Sequence, residues 1–300
     1  MSNNCRSPTP ILSLILCTVN REVEPINFIR SIWPGHPSIE LIVVDQNDSA
    51  NTIREHLKLK NNFYNIKYIK EKKISLSYAR NIGLRHSKAL YVGFPDDDCL
   101  YSNDLLEKIV KEILLVSCKE SQKCRGIAIS YSGCKSLKIE DKIRWFNLLG
   151  KVISFSFFIK RLNEDGLKTK FNETLGVGCN LGAGEETYYL LQALKKDSYL
   201  KAVPHLFVNH PIKNDINLLS REAFYSRGFG ALAFLFPREI GFLGITFSCK
   251  ILFGPALKIL FAILRLDFPL TRFFVITFIH RWIGFFYAIF TFKSFRSHTN

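Results

Sequence analysis

Three consecutive carboxylates, Asp96-Asp97-Asp98, follow directly on the apolar run Ala89 to Phe94. A short apolar run bounded by polar residues and a proline reads as a buried strand. The acids therefore stand where that strand leaves its sheet. Adjacent carboxylates repel one another, so an ordered cluster needs a cation or strong hydrogen-bond donors. One chemistry it suits is a hard divalent metal that holds a diphosphate. The other reading is a solvated acidic turn ahead of a helix beginning near Ser102.

Further residues have types suited to chemistry. Thr18, Asn20 and Arg21 offer a hydroxyl, an amide and a guanidinium to a nucleotide, and Asp45 closes a second apolar run. Arg80, with Asn81 beside it, can fork two phosphate oxygens, although a lone helix arginine is more often an exposed charge. Glycines 176, 178, 182 and 184 argue for a loop that closes over substrate, and Glu185-Glu186 follow it. Those glutamates read either as a general base or as the acidic complement of a helix N-terminus. His210 precedes Pro211 after the run Leu206 to Val208; it is a metal ligand or a structural histidine.

The elements that must position these groups are legible in order. Ile11 to Cys17, Leu41 to Val44 and Ile66 to Ile69 read as strands. Helices are predicted from Pro25 to Trp33, with Ile26, Ile29 and Trp33 on one face, and from Thr52 to Leu59. That β-α-β-α-β order argues for a parallel sheet flanked by helices, in which ligands lie beyond the carboxyl ends of the strands. Thr18, Asp45 and Asp96 all fall at such ends. A helix from Leu76 buries Leu76, Ala79 and Gly83, which leaves Arg80 at the edge of that face and Asn81 away from it. Leu105 to Val116 reads as an amphipathic helix and Gly126 to Tyr131 as a strand. Trp145 to Phe158 suits a helix or a strand.

At this point the chain resembles the family-two glycosyltransferases with a GT-A fold. The resemblance rests on Thr18-Val19-Asn20-Arg21, Val43 to Ser49, Ala79 to Gly83, Asp96-Asp97-Asp98, Gly182 to Thr187 and Val208 to Pro211, in that order. It covers about residues 10 to 211 and implies an α/β, Rossmann-like, mostly parallel sheet. By this resemblance Asp45 binds the base and ribose region, with Gln46 standing where the family has a second acid. Thr18, Asn20, Arg21, Arg80 and Asn81 face the nucleotide sugar, as do Asp96 and Asp97. Asp96, Asp98 and His210 hold Mg²⁺ or Mn²⁺, which neutralises the leaving diphosphate. Glu186, ahead of Glu185, is the general base in an inverting displacement. Two rivals differ in class. One is a phosphatase of the haloacid-dehalogenase type, which wants Thr or Val where Leu100 stands; the other is a non-catalytic membrane scaffold.

Composition narrows the partners. The 300 residues are 47% apolar with net charge +15, and from Arg238 onward eight Lys/Arg face two Asp/Glu. The charge is thus spread rather than gathered into a nucleic-acid patch, and the aromatic tail points to a bilayer instead. Eight cysteines show no regular spacing, against a zinc or disulfide framework. The polar N-terminus lacks an apolar signal region, which predicts a catalytic part on the cytoplasmic face of the cell membrane. The expected domains are a polar segment 1–10, a catalytic domain 11–215, a connecting segment 216–239 and membrane-associating helices 240–300. Ile240 to Leu264 and Phe273 to Phe292 are long enough to span. Lys250 and Lys258 near one polar edge favour helices lying in the interface; a hairpin turning between Asp267 and Arg272 competes. The expected partners are a nucleotide-diphosphate sugar donor and a glycan or lipid-linked acceptor.

Overall fold

The structure is a computed structural model. It describes residues 10–291 apart from 33, 49–50, 59–64, 121, 133–136, 139–140, 150, 163–165, 167, 196 and 212–217. Two compact units emerge. One comprises residues 1–74, 79–169 and 193–212; the other comprises 75–78, 170–192 and 213–300.

The first unit is built on an eight-stranded sheet. Its strands are β1 (Leu12–Thr18), β2 (Ile39–Asp45), β3 (Ile66–Lys70), β4 (Tyr91–Gly93), β5 (Cys124–Tyr131), β6 (Lys142–Ile143), β7 (Phe157–Lys160) and β8 (Tyr199–Val208). They lie in the order β3-β2-β1-β4-β7-β5-β8-β6. β3, β2, β1 and β4 run parallel, as do β5 and β8, whereas β7 is antiparallel to both of its neighbours. The sheet is therefore mostly parallel with an antiparallel strand in its middle.

Every residue of β1 and β2 is buried, as a parallel sheet covered on both faces requires. Leu12, Leu14 and Leu16 share a core with Phe28 and Ile29 of α1 (Val23–Ser31) and with Leu105, Ile109 and Ile113 of α4 (Asn103–Lys119). Ile53 of α2 (Asn51–Lys58) joins the same core. On the opposite face, Ile15 meets α3 (Leu76–His86) at Gly83, where an added Cβ would overlap the isoleucine methyl.

Several sequence expectations shift. The buried face of α1 is Pro25, Phe28 and Ile29, with Ile26 only partly buried; Trp33 lies outside the described residues. α3 is buried all round from Ala79 to Leu84, so Arg80 and Asn81 are interior rather than at or beyond the edge of a face. Within Trp145 to Phe158 the chain turns, forms a 3₁₀ turn at Ser154–Ser156, and only then enters β7.

The second unit contains α5 (Glu185–Ala193) up to Gln192, and the long helices α6 (Leu218–Ile240), α7 (Phe242–Leu264) and α8 (Phe268–Phe290). α6 packs on both α7 and α8, and these two pack on each other. The α7–α8 turn falls at 265–267, earlier than the predicted 267–272. Asp267 caps α8 by accepting the Leu270 N–H at 2.9 Å, and Pro269 stands in its first turn.

Candidate active site

Strand register assembles the acidic site. Thr18 and Asp45 pair directly as the last residues of β1 and β2. Leu14 pairs with Gly93, so four further residues along each chain bring Thr18 level with Asp97. Thr18 Oγ1 donates to Asp97 Oδ2 at 2.8 Å. Arg21 follows on the loop after β1; its Nη1 pairs closely with Asp97 and donates to Asp98 Oδ2 at 3.1 Å. Arg80, 2% exposed, reaches Asp96 Oδ1 from α3 at 3.2 Å, and Ser154 Oγ donates to the same oxygen at 3.1 Å. The three carboxylates thus meet two guanidiniums, the compensation that such crowding requires.

Burial raises the Asp97 carboxyl above its ordinary value, against the lowering effect of the Thr18 bond and Arg21. Arg21 also shifts upward, because Asp97 and Asp98 together outweigh its own burial. Asp97 is the more deeply buried partner, so the desolvation cost falls mainly on it while the attraction between the two holds the pair together.

His210 arrives from a distant part of the chain. A bridge from Leu100 N to Asn209 O, 3.1 Å, fastens the end of β8 beside the acidic turn. His210 Nε2 then lies 3.2 Å from Asp98 Oδ1, its ring stacked on Phe155 at 4.6 Å between centroids. Asp98, Cys99 and His210 have potential ligand atoms within 4.8 Å of one another. Asp96, the other expected metal ligand, is turned to Arg80 and Ser154.

At the end of β2, Asp45 is fully buried. Its Oδ1 accepts the Asn47 N–H at 2.8 Å and its Oδ2 the Tyr68 hydroxyl at 2.7 Å. Burial, then the bond to Asp45, pushes the Tyr68 phenol well up. Asn47 clamps the loop after β1: its amide donates to Arg21 O at 2.7 Å and accepts from Arg21 N at 2.9 Å. Gln46, where the family has an acid, is buried and donates to Lys72 O at 2.6 Å. Asn20 is exposed in the left-handed region, φ 55°, and accepts from Lys73 Nζ at 3.1 Å. Asn81 is buried beside Arg80. Asn47, Tyr68, Ser154 and Phe155 were not singled out from sequence. Asn47 lies within Val43 to Ser49, and Tyr68 lies on the neighbouring strand β3.

The two glutamates belong to the second unit. Gly176 N donates to Leu181 O at 2.7 Å, closing the glycine loop on itself, and Ser77 Oγ donates to Leu175 O at 2.6 Å. At Gly176, φ 99°, a Cβ would stand 2.9 Å from Glu185 Cδ. Only glycine fits there, for conformation and for space alike. Glu185 is 4% exposed beneath this loop, whereas Glu186 is partly exposed; both lie in the first turn of α5.

Comparison with known proteins bears on this arrangement. Residues 13–115 match the model described as "Glycosyl transferase family 2". The chain is similar in structure to a mannosyltransferase of Pyrobaculum calidifontis, PcManGT, solved with GDP-Man and Mn²⁺. That match has a TM-score of 0.58 and 15% identity, and covers 93% of this chain and 88% of that one. It is similar too to residues 1–349 of S. aureus TarS, at TM-score 0.54 and 14% identity over 87% of this chain and 89% of that one. The TarS segment solved with UDP-GlcNAc matches at TM-score 0.54 and 12% identity, over the same shares. At these identities the likeness is one of fold. No curated protein sequence matches the chain.

Proposed function

Taking the chain as a family-2 glycosyltransferase with a GT-A fold, we propose that it is metal-dependent and inverting, and that its acceptor is a hydroxyl of a glycan or lipid-linked molecule. Its donor is a nucleotide-diphosphate sugar. We place the reaction in cell-surface polysaccharide synthesis at the cytoplasmic face of the membrane. The observation that carries the reading is the meeting of Asp96, Asp97 and Asp98 with Arg21, Arg80 and His210 beyond the strand ends. The GDP-Man and Mn²⁺ bound to one structural neighbour, and the UDP-GlcNAc bound to another, support the donor class and the ion.

The donor set fits a Mg²⁺ or Mn²⁺ ion, since a carboxylate oxygen of Asp98 and an imidazole nitrogen of His210 already converge. When bound, such an ion supplies positive charge against the departing nucleoside diphosphate. Arg80, fixed in the interior, adds a second positive charge for the phosphates, with Asn81 beside it. Asp45 receives the base and ribose, and Thr18, Asn20 and Arg21 line the nucleotide's loop. Asp97 holds Thr18 and Arg21 in place, and Asp96 orients Arg80. In the second unit, Glu186 takes the proton of the acceptor hydroxyl as that oxygen attacks the anomeric carbon. Glu185, packed under the glycine loop, fixes the start of α5.

The test is release of nucleoside diphosphate from a panel of nucleotide sugars, with and without Mn²⁺. Turnover that is lost in Asp98→Ala and Glu186→Gln, with unfolding temperatures kept, supports the reading. Full transfer by both variants would overturn the site, and phosphatase activity without nucleotide-sugar binding would overturn the function.

A further inference from the structure

The second unit joins its long helices through polar side chains set among buried apolar ones, and leaves large apolar side chains on its outer surface. Glu222 of α6 accepts from Ser226 at 2.8 Å and from Thr277 of α8 at 2.9 Å. Arg227 Nε lies 3.1 Å from His280 Nδ1, and Arg281 Nη1 donates to Ile251 O of α7 at 2.6 Å. Ser248 Oγ donates to Ala233 O and Gly244 O. The helices approach through glycine: a Cβ on Gly230 would overlap Arg281 O, and one on Gly284 would overlap Arg227 O. Small residues with polar side chains bonded across helices are how helices associate where lipid removes the hydrophobic drive.

The outer surface is the complement. With about 100° per residue, the exposed Ile279, Ile283, Phe286 and Phe290 of α8 lie opposite Thr277 and Gly284, which face α6. On α7, Phe242, Phe253, Leu257 and Leu260 are exposed opposite Gly244 and Ser248. Both helices therefore turn one broad apolar face away from α6, with Lys250 at its edge and Arg265 and Arg272 about its turn, while Lys258 reaches over the Phe274 ring of α8.

Length alone does not decide how a bilayer would take this face. Each helix has 23 residues, about 35 Å, against about 30 Å of hydrocarbon. α6 decides. Its charged first half is bonded to the middle of α8, through Glu222 to Thr277 and Arg227 to His280. A hairpin that crossed the bilayer would carry those charges into hydrocarbon, where each is strongly disfavoured.

We propose that the α7–α8 hairpin lies in the plane of one leaflet, its outer face among the acyl chains, its lysines and arginines against anionic phospholipid headgroups, and α6 above it. The inference rests on the membrane location given above and fixes its mode.

The experiment uses the full chain. Flotation with phosphatidylcholine vesicles, with and without phosphatidylglycerol, is expected to show binding that the anionic lipid strengthens and salt weakens. Leu257→Asp, on the outer face, is expected to lower vesicle binding at least tenfold with the unfolding temperature unchanged. In inverted membrane vesicles from expressing cells, Leu266→Cys at the hairpin turn is expected to react from outside with an impermeant maleimide, by peptide mapping. Reaction only after detergent means a spanning hairpin and overturns the in-plane mode while leaving membrane location intact. Absence of binding to any vesicle overturns both. A dimer that Leu257→Asp converts to monomer, without lipid binding, assigns the face to a second copy and overturns both as well.

Discussion

The bond from Tyr68 to Asp45 permits a sharp prediction. Asp45 has no exposed surface, and its Oδ2 accepts the phenol at 2.7 Å. Tyr68→Phe keeps the ring and removes the donor, leaving a buried charged oxygen short of a partner. A hydrogen bond to a charged group contributes about 1.5–3 kcal/mol net. Tyr68 is itself partly exposed, so water can replace part of the loss, and the lower end, about 1.5 kcal/mol, applies. That is about a tenfold change in the unfolding equilibrium. The assay is urea unfolding of wild type, Tyr68→Phe, Asp45→Asn and the double variant. The cost of Tyr68→Phe should fall by about 1 kcal/mol in the Asp45→Asn background, where the carboxylate is gone. Affinity for UDP or GDP, measured by calorimetry, should weaken in Tyr68→Phe, because the role proposed for Asp45 needs its carboxylate held in place. A coupling under about 0.5 kcal/mol, within the scatter of independent sites, would refute the argument that Tyr68 holds Asp45.

Other outcomes follow from the same geometry. Gly83→Ala forces a methyl into Ile15, so it should cost about 1–3 kcal/mol by overpacking, read as a lower urea midpoint, and should weaken nucleotide binding because α3 carries Arg80. Iodoacetamide at pH 8 should label Cys118, which is exposed, and spare Cys17, which burial pushes up to about 12; peptide mass mapping reads the sites. Glu120 titrates lower when folded, mainly because Tyr199 donates to it and then through Lys201. Its contribution is therefore complete above its unfolded value of 4.5 and is lost as pH falls through the lower native value. The stability gap between wild type and Glu120→Gln should accordingly close on acidification below pH 4.5; a gap that widens would contradict the sign.

Local pattern made the first half of the sheet legible. The runs at β1, β2 and β3 are short, apolar and separated by helical segments, and their polar ends fall at one edge of a parallel sheet. That pattern alone brings Thr18, Asp45 and the acids to one edge. It failed where a side chain's fate depends on distant partners. Arg80 reads as a face-edge charge, because helical spacing cannot show that Asp96 receives it. Trp145 to Phe158 stayed ambiguous because β7 takes its identity from β4 and β5, not from its own periodicity. His210 is brought to Asp98 by a bridge between Leu100 and Asn209, which no local pattern announces. The α7–α8 turn was legible in principle, since Asp267 and Pro269 are ordinary signs of a helix start.

The antiparallel β7 has a consequence for how the chain assembles. Strands β1 to β4 and their helices pair among near neighbours in sequence, so this half can organise while the chain is still being made. β4, however, receives its outer partner only when residues 157–160 emerge. Until then its backbone groups form an open edge, the kind of surface on which nascent chains associate wrongly. That edge is only three residues long, Tyr91–Gly93, and leads at once into Pro95 and three carboxylates. The acids that gather at the site thus also act as gatekeepers during synthesis, keeping the unfinished sheet from recruiting a stranger's strand.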